Sequence, residues 1–271
     1  MEFLQDKGSR FESEDAPIIP PNMWMPYGLY SASGQDAVHS LRYNKFLTFV
    51  NTGKFNTGDR YTRIVNYDSK LLDFLAIKYV AVAKWKNAIL DFEGKPSYKF
   101  NNPKFKTVFN DGRTMVLENT KAYPEIFSVK NFKIANSDND FSKLFTLADL
   151  SNTVILENRP SHDEYSRDVK IDKYTKKGSF VSFSTFSDSN SFVVITISYL
   201  PGWNVYIDGK KQNIYRSDYT FIGVEIPSGN HEVVLKYEPE SFKYGIYGFT
   251  VSLLLLILYL LYIKKNHTEQ E

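Results

Sequence analysis

The sequence predicts an α+β first half, followed by an all-β antiparallel sandwich and then a single C-terminal transmembrane α-helix. Three observations carry that expectation. An uncharged apolar run closes the chain, short strand-like segments alternate with turn residues over 161–243, and helical and extended patterns mix over 22–160. The expected division is an irregular lead-in at 1–21, a mixed α/β domain at 22–160, a β-sandwich at 161–243, a span at 244–263 and a tail at 264–271.

The run YGIYGFTVSLLLLILYLLYI, residues 244–263, is twenty residues without a charge. As a helix it reaches about 30 Å, the thickness of a bilayer's hydrocarbon core. Tyr244, Tyr247 and Phe249 lie near one end and Tyr259 and Tyr262 near the other, where amphipathic rings suit the headgroup level; Lys264 and Lys265 follow at once. Tyr244, Tyr247, Tyr259, Tyr262, Lys264 and Lys265 are therefore the expected membrane anchors. The alternative, a core helix of a soluble protein, normally keeps a polar stripe, and residues 251–261 offer only the hydroxyls of Ser252 and Tyr259.

By the positive-inside rule the lysine side is cytoplasmic, so the bulk of the chain is expected outside the cytoplasm at the cell membrane. The first thirty residues lack the apolar core of a signal peptide, and a lone C-terminal span would insert the other way round. The expectation that reconciles these is a longer polytopic protein whose upstream helices export the domain. The bilayer and those helices are the expected partners.

The balance of 33 Lys+Arg against 31 Asp+Glu argues against a nucleic-acid surface. Without cysteine the chain has neither a disulfide frame nor a thiolate nucleophile or zinc site. Aromatic residues make up 16% of the chain, a bias toward packed sheets.

After the proline-bearing lead-in, Ser33-Gly34-Gln35-Asp36 gives a helix start, with Val38, Leu41, Phe46 and Val50 at roughly helical intervals. SKLLDFLAIKYVAVA, residues 69–83, changes period: a short helix through Leu75, then a strand over 77–82. Asn110-Asp111-Gly112 marks a hairpin turn, because its glycine tolerates positive φ. An extended piece at 126–129, a helix at 138–150 and a strand at 152–157 complete the first half. The second half reads as seven strands, 169–174, 180–186, 192–199, 204–207, 212–215, 221–226 and 231–237. Pro201-Gly202, Asp208-Gly209 and Pro227-Ser228-Gly229-Asn230 punctuate them.

Catalytic signals are missing. The four histidines are scattered, so metal catalysis is unsupported and no cofactor is expected. His162-Asp163-Glu164 reads as a solvated turn, and Asp138-Asn139-Asp140 as a helix start rather than a calcium loop. No G-x-S-x-G elbow occurs. Trp24, Trp85 and Trp203 could stack on sugar rings, with core packing or a sheet-corner indole as the bland alternative. Trp203 and Trp24 are the candidate binding residues, and no catalytic residue is assigned.

Several stretches together resemble one family. Tyr199-Leu200-Pro201-Gly202-Trp203, Asp208-Gly209-Lys210, the run from Phe221 through Pro227-Ser228-Gly229-Asn230-His231, and Tyr237-Glu238-Pro239 before a membrane helix are similar to the C-terminal signature of YfhO-like bacterial membrane proteins. Weaker likenesses are Tyr27-Gly28-Leu29-Tyr30 with Gly34-Gln35-Asp36 and Arg42-Tyr43, Leu71-Leu72-Asp73-Phe74-Leu75 with Ile77-Lys78-Tyr79-Val80, and Glu118-Asn119 with Ala122-Tyr123-Pro124. The resemblance implies a GT-C-type glycosyltransferase, which moves a sugar from a polyprenyl-phosphate carrier to an envelope acceptor such as teichoic acid. It implies also that the catalytic acid lies among upstream helices, outside this chain. Glu125 departs from the pattern, which tends to a basic residue after the proline. An envelope glycopolymer is the partner so implied; a membrane-tethered glycan-binding or structural module is the alternative.

Overall fold

The structure is a computed structural model describing residues 2–14, 19–35, 39–58, 61–83 and 100–268, with the backbone path alone for 61–62, 83 and 262–268. Asp36, Val38 and Trp85 lie outside the described residues.

The first half opens with α1 (Glu2–Lys7) and β1 (Phe11–Ser13). A 3-10 turn over Met25–Tyr27 and the paired short strands β2 (Gly34–Gln35) and β3 (Tyr61–Thr62) follow, flanking α2 (Leu41–Thr52). The expected helix start at residues 33–36 moves to Ser40, whose hydroxyl accepts from the Tyr43 N–H. Gly34 and Gln35 are drawn instead into the ladder with β3. A satisfied cap thus outcompetes an uncapped earlier start.

The change of period in residues 69–83 is real: α3 (Lys70–Phe74) is capped by Ser69 and leads into β4 (Tyr79–Ala83). The hairpin β5 (Phe105–Asn110) and β6 (Thr114–Asn119) turns at Gly112, φ 83°, where the Asp111 carboxylate accepts from the N–H groups of Arg113 and Thr114. With β1 and β4 they form a four-stranded sheet in the order β1-β4-β6-β5.

Two larger sheets hold the rest. One contains β7 (Ile126–Val129), β8 (Asn131–Ile134), β9 (Thr153–Leu156), β12 (Ser191–Ser198), β15 (Tyr215–Ser217) and β16 (Phe221–Ile226), ordered β7-β12-β16-β15-β9-β8. The other contains β10 (Lys170–Lys177), β11 (Phe180–Ser187), β13 (Trp203–Ile207), β14 (Lys210–Gln212) and β17 (Gly229–Tyr237), ordered β10-β11-β17-β13-β14. They face each other across Val181, Phe183, Val205, Val233 and Leu235 from one layer and Val193, Ile195, Ile222 and Val224 from the other. The opposite face of the six-stranded sheet presents Phe192, Val194 and Phe221 to a second core that includes Phe46 of α2, Phe74 of α3 and Phe141 of α4 (Asp138–Leu147). This sheet is thus a middle layer, which is why all six residues from Ser191 to Thr196 are buried.

The single segment expected at 212–215 is two strands. β14 pairs with β13 in one layer and β15 with β16 in the other, so Asn213 and Ile214 carry the chain between layers. The six-stranded sheet takes strands from both sides of residue 160: β7 pairs with β12, and β9 with β15.

The last element, α5 (Glu240–Thr268), begins four residues before the expected span. Within Glu240–Leu261 its most apolar 18-residue window has a mean hydropathy of 2.0 and none of it is buried against the protein, so it is long and apolar enough to cross a membrane. Tyr244, Tyr247 and Tyr259 are exposed along it, and Tyr262, Lys264 and Lys265 continue the same helix.

Candidate functional site

The helix fixes a direction for the domain. β17 runs into α5 through Glu238 and Pro239, so its carboxyl end is the helix-proximal end of the five-stranded sheet. The joint is closed by the turn at residues 199–202. The Glu238 N–H donates to the Gly202 carbonyl at 2.7 Å, and the Trp203 ring lies 5.3 Å from that of Tyr237, tilted by 54°. Gly202 sits at φ 117°, and a Cβ there would come within 2.9 Å of Pro239 Cα. Only glycine satisfies both the backbone angle and the approach of Pro239.

The remaining turns of the resemblance assemble at the far end. His231 Nδ1 is 2.6 Å from Asp208 Oδ2 and its Nε2 is 3.1 Å from the Ser228 carbonyl. Both ring nitrogens face acceptors, so the imidazolium is favoured and the hydrogen bond to Asp208 raises the histidine pKa. The ring ties the β13–β14 turn to the β16–β17 turn.

Two charged networks occupy the helix-proximal end. Arg42 donates through Nε to the Tyr219 carbonyl at 2.7 Å and pairs with Glu157, which also accepts from Arg216 at 3.0 Å. The guanidinium groups lie over the rings of Tyr219 and Tyr199, at 4.3 and 4.9 Å from the centroids. The second network is buried. Glu125 accepts from Lys176 at 3.0 Å and Tyr174 at 2.8 Å, with Arg10 at 3.6 Å. Burial opposes ionisation of Glu125, but Arg10 and Lys176 outweigh it and hold its carboxyl below the usual range. Burial and the Arg10 charge lower Lys176 in turn. The departure from the pattern at Glu125 is thus matched by two cations.

Beside this network a cleft of about 680 Å³ opens between β7 and β10, the edge strands on one side of the two layers. Tyr123, Pro124, Glu125, Arg167, Ile171 and Tyr174 line it. It offers aromatic rings, a carboxylate and a guanidinium.

The two candidate tryptophans are far from equivalent. Trp24 is 5% exposed and packs edge-on against Phe11, in a core with Leu29 and Tyr79, leaving no ring face for a ligand. Trp203 is half-buried in the joint, and its contact with Tyr237 makes it a structural wedge.

Two arrangements escaped the sequence reading. His162, expected in a solvated turn, is 3.3 Å through Nδ1 from Glu225 Oε1, while the Asn190 amide donates to its Nε2 at 2.8 Å. Burial works against the Glu225 charge, yet hydrogen bonds from Tyr165, Tyr215 and Ser161 bring its pKa down to about 2. An alternating strand shows Glu225 as merely outward-facing, and its donors come from the 161–165 loop and from the neighbouring strand β15. Asp73 likewise gathers Lys104 at 2.9 Å and Asn119 at 2.7 Å, joining two of the weaker stretches of the resemblance.

A layered β domain locked through a glycine joint to a membrane-length helix defines a membrane-associated protein with a large folded domain. Residues 158–247 match the family model described as bacterial membrane protein YfhO. Over 91 residues the chain is 34% identical to the uncharacterized protein YfhO of Bacillus subtilis (strain 168), a match covering 34% of this chain and 11% of that protein. Over this region the chain is similar to the YfhO-like membrane proteins. No solved structure matches it.

Proposed function

We propose that this chain is the extracytoplasmic C-terminal region and final membrane helix of a YfhO-like protein that transfers sugars from a polyprenyl-phosphate carrier to cell-envelope polymers. The observation that carries the reading is the joint. The signature turn at Pro201-Gly202-Trp203 is spent on gripping Tyr237-Glu238-Pro239, so the matched region fixes a folded domain on a membrane helix. In this role the chain supplies position rather than chemistry. The cleft between β7 and β10, with Tyr123, Tyr174 and Arg167, suits a stretch of acceptor polymer, while the reacting groups sit in membrane-embedded parts of the same protein.

Protease added to intact spheroplasts should remove the folded domain of the native protein. Survival until lysis would reverse the orientation and end the proposal. In detergent with a polyprenyl-linked sugar and acceptor polymer, the chain alone should give no transfer. Turnover would show that catalysis resides here.

A further inference from the structure

We propose that the turn at residues 22–28 is a second point of membrane contact, seated in the headgroup layer of the same bilayer that α5 crosses. The inference rests on the membrane reading of α5 and adds a site to it.

Its first support is position. Lys176 pairs with Val181 and Val181 with Leu235, so Lys176 lies at the helix-proximal end of the five-stranded sheet. The Tyr30 hydroxyl donates to the Lys176 carbonyl at 3.4 Å, and Lys176 Nζ sits 4.2 Å from the centre of the Tyr30 ring. A separate tie comes from Arg10, whose Nη2 donates to the Thr196 carbonyl at 2.9 Å. β12 continues from Thr196 into the 199–202 turn that grips Pro239. The backbone N–H of Phe11, next to Arg10, donates to the Tyr30 carbonyl at 2.9 Å. Two layers thus independently place the 22–30 segment toward the helix.

The second support is composition and shape. Residues 16–35 contain no Asp, Glu, Lys or Arg. Within them Trp24 points inward, while Met23, Met25 and Tyr27 are 57%, 66% and 51% exposed and Pro26 is exposed between the last two. The turn is held rather than loose: the Gly28 N–H donates to the Met25 carbonyl at 3.0 Å, and Leu29 donates to Trp24 at 3.3 Å. Behind it Glu12 accepts from the backbone of Ala32 and Ser33 and from the Ser31 hydroxyl, all within 2.8 Å. An uncharged turn offering two thioethers, a proline and a tyrosine on a buried aromatic root has the chemistry of an interfacial anchor, where an apolar body meets a polar edge. Leu41, also exposed, opens α2 beside Arg42, which is tied to Tyr219 at the helix-proximal end.

The absence of cysteine makes the test clean. Single variants Met25→Cys, Leu147→Cys and Leu254→Cys are labelled with a nitroxide and reconstituted as the full chain in phosphatidylcholine–phosphatidylglycerol nanodiscs. Leu147 is the control: β8 ends near the helix side and α4 carries the chain back to the start of β9, leaving Leu147 81% exposed toward the far end. The expected result is that a water-soluble nickel relaxer reaches position 25 severalfold less than position 147. Oxygen should reach it severalfold more, and position 254 should be the most protected from nickel. If position 25 is as open to nickel as 147 while 254 is shielded, the second contact is refuted and the spanning helix stands. If 254 is open as well, both fall. A Tyr27→Cys label gives the same reading should Met25→Cys disturb the turn.

Discussion

Asp218 is the residue least explained by its sequence context. It is 1% exposed; one carboxylate oxygen accepts from the Ile155 N–H at 2.9 Å and the other has no partner among the described residues. Burial drives its pKa up from 3.8 to about 8. The folded chain therefore keeps a proton that the unfolded chain releases near its ordinary pKa. Stability falls as pH rises between those two values and is lowest above the upper one. Asp218→Asn mimics the protonated acid and removes this dependence. Denaturant melts should show it more stable than the parent above pH 8, by on the order of a few kcal/mol, and nearly equal near pH 4. A gain independent of pH would exclude the carboxyl as the cause. Pattern reading cannot find such a group, because Arg216-Ser217-Asp218 looks like an ordinary polar turn until the next layer covers it.

At the scale of elements, strongly patterned pieces were legible. The residues that cap, turn or alternate do so through neighbours in sequence: Ser69 caps α3, Asn110-Asp111-Gly112 turns a hairpin, and β17 alternates inward Val233 and Leu235 with outward neighbours. What sequence hid was partnership. Nothing near Gln212 says that the chain changes layers there, since that is decided by β13 and β16, each already paired elsewhere. The joint is intermediate: Pro201-Gly202 announces a turn but not its grip on Pro239. Gly202→Val should cost at least about 1–3 kcal/mol from backbone strain, with further loss because its Cβ would press on Pro239 Cα. The variant should melt earlier, and protease should gain access to residues 237–240. A variant as stable and as resistant as the parent would mean that the close approach is not maintained.

For the whole molecule, the middle sheet decides how the chain can be divided. Of the candidate site, sequence reading found the signature turns and the membrane helix, and missed the cleft and both charged networks, because each joins segments more than a hundred residues apart or on opposite layers. The core side of Phe192 and Phe221 is covered by α2, α3 and α4, and the edge of β12 by β7, all from before residue 160. A fragment of residues 161–243 would expose those rings and the bare edge of β12. It should show strand signal by circular dichroism but a broad, non-cooperative melt, and it should aggregate through the open edge. A sharp two-state transition in the monomeric fragment would demonstrate a self-sufficient unit.

With only Glu238 and Pro239 between sheet and helix, and the first of them pinned to Gly202, the connection has almost no slack. The folded mass cannot swivel like a flag on a rope; it leans with its mast. A thinner bilayer that tips the rod should swing the distal His231 corner through a wide arc, turning lipid thickness into a displacement far above the surface.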